Sequence, residues 1–376
     1  MTATGRIAVC GNVLPADTPE QVLAAVSGPF ARWAAALRSA GGPSPALGLA
    51  VSAAAAAAFA ADPAARRRLQ AALAAAGVTV WTANAFPFGG FQGDRVGPRA
   101  FLPDWTDPAR LAFTRDVARL LVDLVPVDPT GVRRGSLSTC PVGYGPAAVA
   151  DPRTRRHLEG AALALEELAA ATGVELALGL EPEPDGGFER VADLASFLAA
   201  LDAPPGRLGV CLDLCHLAVV GEDPGAAVAA LAAHHVPLAK VQVSAALRLA
   251  PDAPPGTMAL LSDLAADPWL HQVRADDGGA WPDLAPYLEQ RARPSSAVRI
   301  HAHVPLHLAA PAPGLAATDW RGGLAAVRAA VAEAALPTPD LEVETYTLTR
   351  LSPTLRGGTL EEVLLAETLA CAEAAA

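Results

Sequence analysis

The sequence predicts a closed (β/α)8 barrel, an α/β fold in which residues 1–376 form one domain. Eight short segments set large aliphatic residues on one face and small or polar ones on the other, helical stretches separate them, and the last four segments each end in an acid or amide on the small-residue face. In such a barrel the bulky faces pack against outer helices, the small faces converge on the axis, and the C-terminal strand ends share one rim.

The first segment, Arg6–Val13, opposes Ile7, Val9, Gly11 and Val13 to Ala8, Cys10 and Asn12, the period-two pattern of a strand. A helix over Pro19–Ala40 follows. In Ala46–Ser52, Leu47, Leu49 and Val51 oppose Gly48, Ala50 and Ser52, and an alanine-rich helix through Ala76 leads to a third strand at Val78–Asn84. Beyond it runs a loop rich in aromatics and glycine, from Asn84 through Phe86, Phe88, Phe91 and Gly93 to Pro103–Trp105. Such a loop reads as a pocket wall or lid, and equally as an aromatic plug at one end of the barrel. A helix over Pro108–Leu124 precedes the fourth strand, Gly135–Pro141, which opens into Val142–Gly145. Asn84, Phe86, Phe88, Trp105 and Tyr144 are the expected pocket residues.

After a helix over Pro152–Thr172, the fifth strand opposes Leu176, Leu178 and Leu180 to Glu175, Ala177, Gly179 and Glu181. Glu181 therefore ends the small-residue face, and Pro182 and Pro184 exclude a helix after it. A helix over Val191–Leu201 leads to Leu208–His216, where Gly209, Cys211 and Asp213 share a face. Asp213 and His216, three residues apart, bring an oxygen donor and an imidazole around one point, which suits a divalent metal or acid–base work. The plainer alternative is an Asp that caps the next helix. The seventh segment, Ala239–Ala245, leaves Lys240, Gln242 and Ser244 inward, and three inward polar groups need partners. A rim insertion is expected over 248–297, between strands seven and eight. His271 lies within it, and a strand-like Val298–Pro305 beyond it places Arg299, His301 and His303 on one face. The last strand, Leu341–Thr347, opposes Glu342 and Glu344 to Leu341 and Val343.

Composition narrows the function. Hydrophobic residues make up 52% of the chain and charged residues 18%, which excludes a disordered chain and allows a large core. A formal charge of -11 offers no basic field for nucleic acid or an anionic membrane surface. The N-terminus from Met1 to Gly5 lacks a signal pattern and the alanine tract at 53–61 is too short for a bilayer, so no membrane insertion and a cytoplasmic location are expected. Five cysteines at irregular spacing, Cys10, Cys140, Cys211, Cys215 and Cys371, suggest neither a disulfide framework nor a zinc cluster.

Converging strand ends bring Glu181, Asp213, Gln242 and Glu344 together as an all-oxygen ligand set. Hard oxygens favour Mn²⁺ or Mg²⁺, and a histidine among them would admit Zn²⁺. His216, His271, His301, His303 and Lys240 are further candidate ligands for metal or substrate. Each acid also has a bland reading: Glu181 as an ion-pair partner of Arg190, Glu344 of Lys240. Four coincidences at matching strand ends favour the site.

These residues carry a resemblance over most of the chain. The Leu180–Pro184 run, the Asp213–His216 unit and Glu344–Thr345 resemble metal-binding strand ends of the xylose isomerase-like barrel superfamily, which includes sugar epimerases and endonuclease IV. More specifically, Asn84–Gly89, Pro103–Trp105, Gly135–Thr139, Glu181–Pro184, Gly209–His216, Lys240–Leu247, Leu270–Val273, His301–Pro305 and Leu341–Thr347 resemble, in order, the metabolite-traffic protein EboE family. The resemblance implies a metal-dependent barrel tied to small-metabolite traffic. Two positions depart from it: Leu14 stands where a histidine is expected and Gly97 where a lysine is expected in the lid; Gln242, in turn, stands where sugar epimerases of the superfamily tend to place a histidine.

Three functions follow as expectations. In the first, a sugar or sugar phosphate isomerase or epimerase uses Glu181 and Glu344 to exchange a proton beside a metal-chelated carbonyl, while His216, His303 and Lys240 bind hydroxyls or a phosphate. The second is a multi-metal phosphoester hydrolase resembling endonuclease IV. The third is a carrier that binds a small metabolite behind the aromatic lid without converting it. The oligomeric state is left open.

Overall fold

The computed structural model describes residues 5–90, 92, 97–128, 130–290 and 295–376. Met1, and Phe91 and Gly93 of the expected lid, lie outside the described residues. Thirteen strands run in chain order: β1 (Ile7–Cys10), β2 (Ala46–Ala50), β3 (Thr79–Asn84), β4 (Arg133–Thr139), β5 (Val174–Leu180), β6 (Leu208–Asp213), β7 (Leu238–Val243), β8 (Leu247–Leu249), β9 (Val273–Ala275), β10 (Ala280–Trp281), β11 (Val298–Ile300), β12 (Leu315–Ala317) and β13 (Leu341–Val343). The first seven and β13 close a parallel barrel in the order β1-β13-β7-β6-β5-β4-β3-β2, as the sequence predicts. Asp213 sits opposite Gln242, Gln242 opposite Glu342 and Asn84 opposite Ser138, so the polar inward residues of neighbouring strands meet in register.

The helices begin where their caps dictate. Asp62, Asp107, Asp151 and Asp223 each precede a proline, and each side chain accepts a backbone N–H of the first turn. Proline fits that turn because its missing N–H would have had no partner there. The helix expected over Pro19–Ala40 divides into Pro19–Ala25, a π-helical turn at Val26–Phe30 and Ala31–Ser39. Pro29 lies inside that turn, where it cannot donate to an α-helical ladder. Among the described residues no single helix is long and apolar enough to cross a membrane.

Inside the barrel, small residues make room for large polar ones. A Cβ on Gly48 would stand 1.6 Å from Glu342 Oε1, so only glycine fits opposite that carboxylate. Lys240 and Glu342, both fully buried, form an ion pair. Lys240 Nζ also donates to Asn84 Oδ1 at 3.2 Å, which accepts from Ser138 Oγ as well, and Asn84 Nδ2 donates to Glu342 Oε1 at 3.1 Å. Burial is the largest single influence on Lys240 and lowers its pKa, but the Glu342 charge, the neighbouring Cys211 and Cys10 and the hydrogen bond to Glu342 together outweigh it and raise it.

Strands β8–β12 form a separate five-stranded sheet, inserted between β7 and β13, in the order β10-β9-β11-β8-β12. The insertion thus extends beyond 248–297 and reaches Ala317. Strand β11 ends at Ile300, so the expected shared face of Arg299, His301 and His303 does not persist. Arg299 turns to Ala218 O and Asp276, whereas the imidazoles of His301 and His303 enter the barrel mouth.

The C-terminal helix Leu360–Ala375 locks this junction through Glu367, whose Oε1 accepts from Thr345 Oγ1 at 2.6 Å and from Leu306 N at 3.1 Å. Burial pushes the Glu367 carboxyl up to about 7 from an ordinary 4.5, against the lowering effect of those two hydrogen bonds. The folded state therefore holds this proton more tightly than the unfolded chain. Its contribution is constant below about pH 4.5 and falls by about 3 kcal/mol as pH rises to 7. Glu367→Gln, which keeps the acceptor oxygen, should remove that slope in urea unfolding measured from pH 4 to 8.

Lys240→Met should cost roughly 3–5 kcal/mol by leaving Glu342 buried without its counterion. Pairing it with Glu342→Leu should restore most of the loss in the same assay. A double variant no more stable than Lys240→Met would show that the ion pair is not what the interior depends on.

Candidate active site

At the C-terminal mouth of the barrel, a small cavity opens above the strand ends. Its polar lining includes Asn84, Glu181, Glu183, His216, His301, His303 and Glu344, and its apolar wall includes Phe86, Phe101, Trp269 and Tyr346.

Glu181 follows β5, its backbone N–H bonded to Thr139 O and its direction set by Pro182. Asp213 ends β6 and caps the next helix, the plainer of the two readings of the sequence. Its Oδ1 caps helix Leu214–Val220 by accepting from His216 N at 2.9 Å, and also accepts from Ser244 Oγ at 2.8 Å. Its Oδ2 is buried with no hydrogen-bond partner among the described residues. Glu344 follows β13 and is arranged the same way: Oε1 accepts from Asn12 Nδ2 at 2.7 Å, and Oε2 is buried and unpartnered. One carboxylate oxygen of each of Glu181, Asp213 and Glu344 lies within 4.8 Å of the others.

A second grouping joins Asp213 to His216 and His303 within the same 4.8 Å limit. His216 Nδ1 bonds to Pro182 O at 3.1 Å and His303 Nδ1 to Glu344 O at 3.0 Å. A carbonyl only accepts, so each Nδ1 carries the hydrogen and each Nε2 is a lone pair when the ring is neutral. Burial does keep the rings neutral. It lowers His216 to about 4 and lowers His301 and His303 as well. Burial, then the neighbouring acids, raises Glu181, Glu183 and Glu344 well above the ordinary carboxylate value. Oxygen and imidazole donors with buried, unpartnered lone pairs fit a divalent ion.

Several expected residues take other places. Lys240 is locked beneath the cavity by Glu342 and does not line it. Gln242 is drawn into the interior network, accepting from Cys211 Sγ at 3.1 Å and donating to Asn84 Oδ1 at 3.4 Å. His271 stands behind the wall, its Nδ1 2.8 Å from His301 O. Of the expected aromatics among the described residues, only Phe86 lines the cavity. Arg110, fully buried, bonds Ala85 O and Pro103 O and draws the rings of Phe86, Phe88 and Phe113 to 5.7–5.9 Å from its guanidinium carbon. Phe88 therefore packs into the core beside Phe113, and Trp105 is buried with its indole N–H on Thr139 Oγ1. Tyr144 touches Phe101 and lines a neighbouring groove with Asp185.

The residues the sequence reading missed are Glu183, Asn12, Phe101, Trp269, Gln272 and Tyr346. Glu183 had a signal, since the Glu-Pro-Glu-Pro run spaces two acids by one proline. It is positioned by a clamp from the inserted sheet. Gln272 Nε2 donates to Pro184 O at 3.0 Å, and Arg274 Nη2 reaches Asp185 Oδ1 at 2.7 Å and Glu189 Oε1 at 2.8 Å. Asp185 has a φ of 59°, a left-handed conformation that an aspartate adopts at a turn when its surroundings hold it.

Fold and site together define a parallel (β/α)8 barrel with a carboxylate–histidine cavity at its C-terminal mouth. The chain belongs to the xylose isomerase-like TIM barrel family, whose profile matches residues 36–257, more than half of its length. Among solved structures, the IOLI protein with a bound zinc atom is 11% identical, with a TM-score of 0.50 and 98% of each chain covered. A xylose isomerase-like TIM barrel protein from Mycobacterium smegmatis in complex with magnesium is 15% identical, with a TM-score of 0.47, covering 100% of this chain and 98% of its own. A D-tagatose 3-epimerase-like protein is 12% identical, with a TM-score of 0.46, covering 96% of this chain and 97% of its own. At these identities the likeness is one of fold. No curated protein sequence matches the chain.

Ligand linkage tests the fit. Mn²⁺, Mg²⁺ or Zn²⁺ at a hundred times its dissociation constant should stabilise the protein by about 2.7 kcal/mol, read as a rise in melting temperature. Glu344→Gln, which removes a charge and not a shape, should abolish most of that rise. An unchanged rise in this variant would remove Glu344 from the ligand set.

Proposed function

We propose that the chain is a metal-dependent isomerase or epimerase of a small polyhydroxylated metabolite. The observation that carries this reading is the meeting of Glu181, Asp213 and Glu344 at the cavity floor, with buried, unpartnered oxygens on Asp213 and Glu344. A divalent ion held there supplies polarisation of a carbonyl and its neighbouring hydroxyl, which eases loss of the proton between them. Glu181 and Glu344 approach from different strands and are assigned the removal and return of that proton. Asn12 orients Glu344 through its hydrogen bond to Oε1, and Pro182 orients both Glu181 and, through its carbonyl, the His216 ring. His216 and His303, which line the same cavity, are assigned to substrate hydroxyls or to a metal ion.

The lining favours an uncharged substrate. Among the described residues no lysine or arginine lines the cavity, while three carboxylates do, so a free polyol fits better than its phosphate. This counts equally against the phosphoester hydrolase reading. A carrier remains the second reading, favoured by the wall of Phe86, Phe101, Trp269 and Tyr346. The run of motifs from Asn84 to Thr347 supports membership of the metabolite-traffic EboE family, and we place the protein in the cytoplasm, where its five buried, unpaired cysteines are at home.

Incubating the metal-loaded protein with a panel of free sugars in D₂O should place deuterium on a carbon next to a carbonyl. Glu181→Gln should slow that exchange at least about a hundredfold, the usual size of a lost acid–base contribution. Binding of a metabolite without exchange across the panel would replace the enzyme with the carrier.

A further inference from the structure

We propose that Cys215, His301 and His303 form a second metal position, a nitrogen–sulfur site for Zn²⁺ or a similar borderline-soft ion, beside the all-carboxylate position. Their Sγ and ring nitrogen atoms lie within 4.8 Å of one another, and all three residues are buried. Two imidazoles and one thiolate are a ligand set of the kind zinc takes, unlike the hard oxygens of Glu181, Asp213 and Glu344.

The hydrogen bonds around the rings point to a ligand. His301 Nδ1 lies 2.7 Å from Gln272 Oε1, and the Gln272 amide is oriented because its Nε2 donates to Pro184 O. The group facing His301 is therefore an acceptor, and Nδ1 must carry the hydrogen. His303 is fixed in the same tautomer by Glu344 O. Both Nε2 atoms are then lone pairs, and both are buried without a hydrogen-bond partner among the described residues. Buried lone pairs left this way are costly unless a cation draws them together. Orientation of Nδ1 by carbonyl oxygens is also what holds histidine ligands on a metal.

Cys215 is set on the first turn after Asp213, its backbone N–H on Ser244 Oγ at 2.8 Å. Burial keeps its thiol protonated in the absence of an ion. When the metal–sulfur bond forms, the S–H bond breaks and its proton leaves to solvent. His301 and His303 line the cavity, which would give the ion a route in. Both histidines come from the insertion between β7 and β13, and Cys215 comes from the barrel, on the turn after β6, so the position joins the two parts of the fold. His303 also borders Asp213 and His216, which makes the two positions neighbours.

The test is a titration of the metal-stripped full-length protein with Co²⁺, read by metal content and by sulfur-to-cobalt charge-transfer absorption. Wild type should take two ions per chain and show the band. Cys215→Ser should lose the band and one ion, with its melting temperature reporting that it is folded, and His301→Gln should weaken the band-forming event at least tenfold. Glu181→Gln/Glu344→Gln should lose the other ion and keep the band, so failure of the carboxylate site and failure of this one are distinguishable. No charge-transfer band, or a band that survives Cys215→Ser, would overturn the proposal, whereas a single ion that shows the band would support it and empty the carboxylate position instead. Should Cys215→Ser fail to fold, wild type and His301→Gln still decide.

Discussion

The interior of this barrel holds more negative charge than its own cations can answer. Glu181, Glu183, Asp213, Glu342 and Glu344 are all buried, and Lys240, the ammonium among them, is committed to Glu342. A low-dielectric interior does not tolerate the remaining acids as bare anions. Either they keep protons, as the raised pKa values of Glu181, Glu183 and Glu344 reflect, or a cation joins them. The layering follows from this constraint. The polar network of Lys240, Glu342, Asn84 and Ser138 satisfies itself and holds the barrel closed, while the strand ends above are left with unspent oxygens. Structure and site are thus separated along each strand by two residues: Glu342 is consumed and Glu344 is available, and Gln242 is consumed while Ser244 supports Asp213.

Much of this was legible because barrel strands obey a simple alternation. Leu176, Leu178 and Leu180 had to face the helices, so Gly179 and Glu181 had to face the axis, and parallel strands place their C-terminal ends on one rim. The same alternation found Asp213 and Glu344. It could not say which inward polar groups would satisfy one another. That depends on register between strands that are distant in sequence: Lys240 meets Glu342, not Glu344, because β7 and β13 align Gln242 with Glu342.

The loops were harder to read for a different reason. Their side chains answer to local anchors that leave no periodic trace. The aromatic segment after β3 was visible as a feature, yet it is anchored by Arg110, a helix residue with an ordinary sequence setting that bonds Ala85 O and Pro103 O and sits against Phe86 and Phe88. The turn that follows Glu183 is held at Pro184 and Asp185 by Gln272 and Arg274, about ninety residues away, so its place depends on how the insertion packs. The histidines at 301 and 303 suggested a strand face, but the strand stops at Ile300 and an irregular segment delivers them.

That irregular segment explains how the site gains imidazoles beyond His216, the one that follows β6. Strand β7 and the residue after it offer Gln242 and Ser244, neither of which is an imidazole. His303 arrives from the insertion and is fastened to the barrel at three points: its Nδ1 on Glu344 O, its carbonyl on the Thr347 hydroxyl, and the backbone at Leu306 on Glu367. Glu367 also holds Thr345, next to Glu344. A carboxylate of the last strand and an imidazole of the insertion are therefore positioned by one buried side chain of the C-terminal helix. Rigid placement of a ligand requires supports that are themselves packed, and a loop rarely has them. Here the insertion borrows the rigidity of the barrel wall, so an imidazole from outside the barrel strands is held as firmly as the carboxylates on their ends.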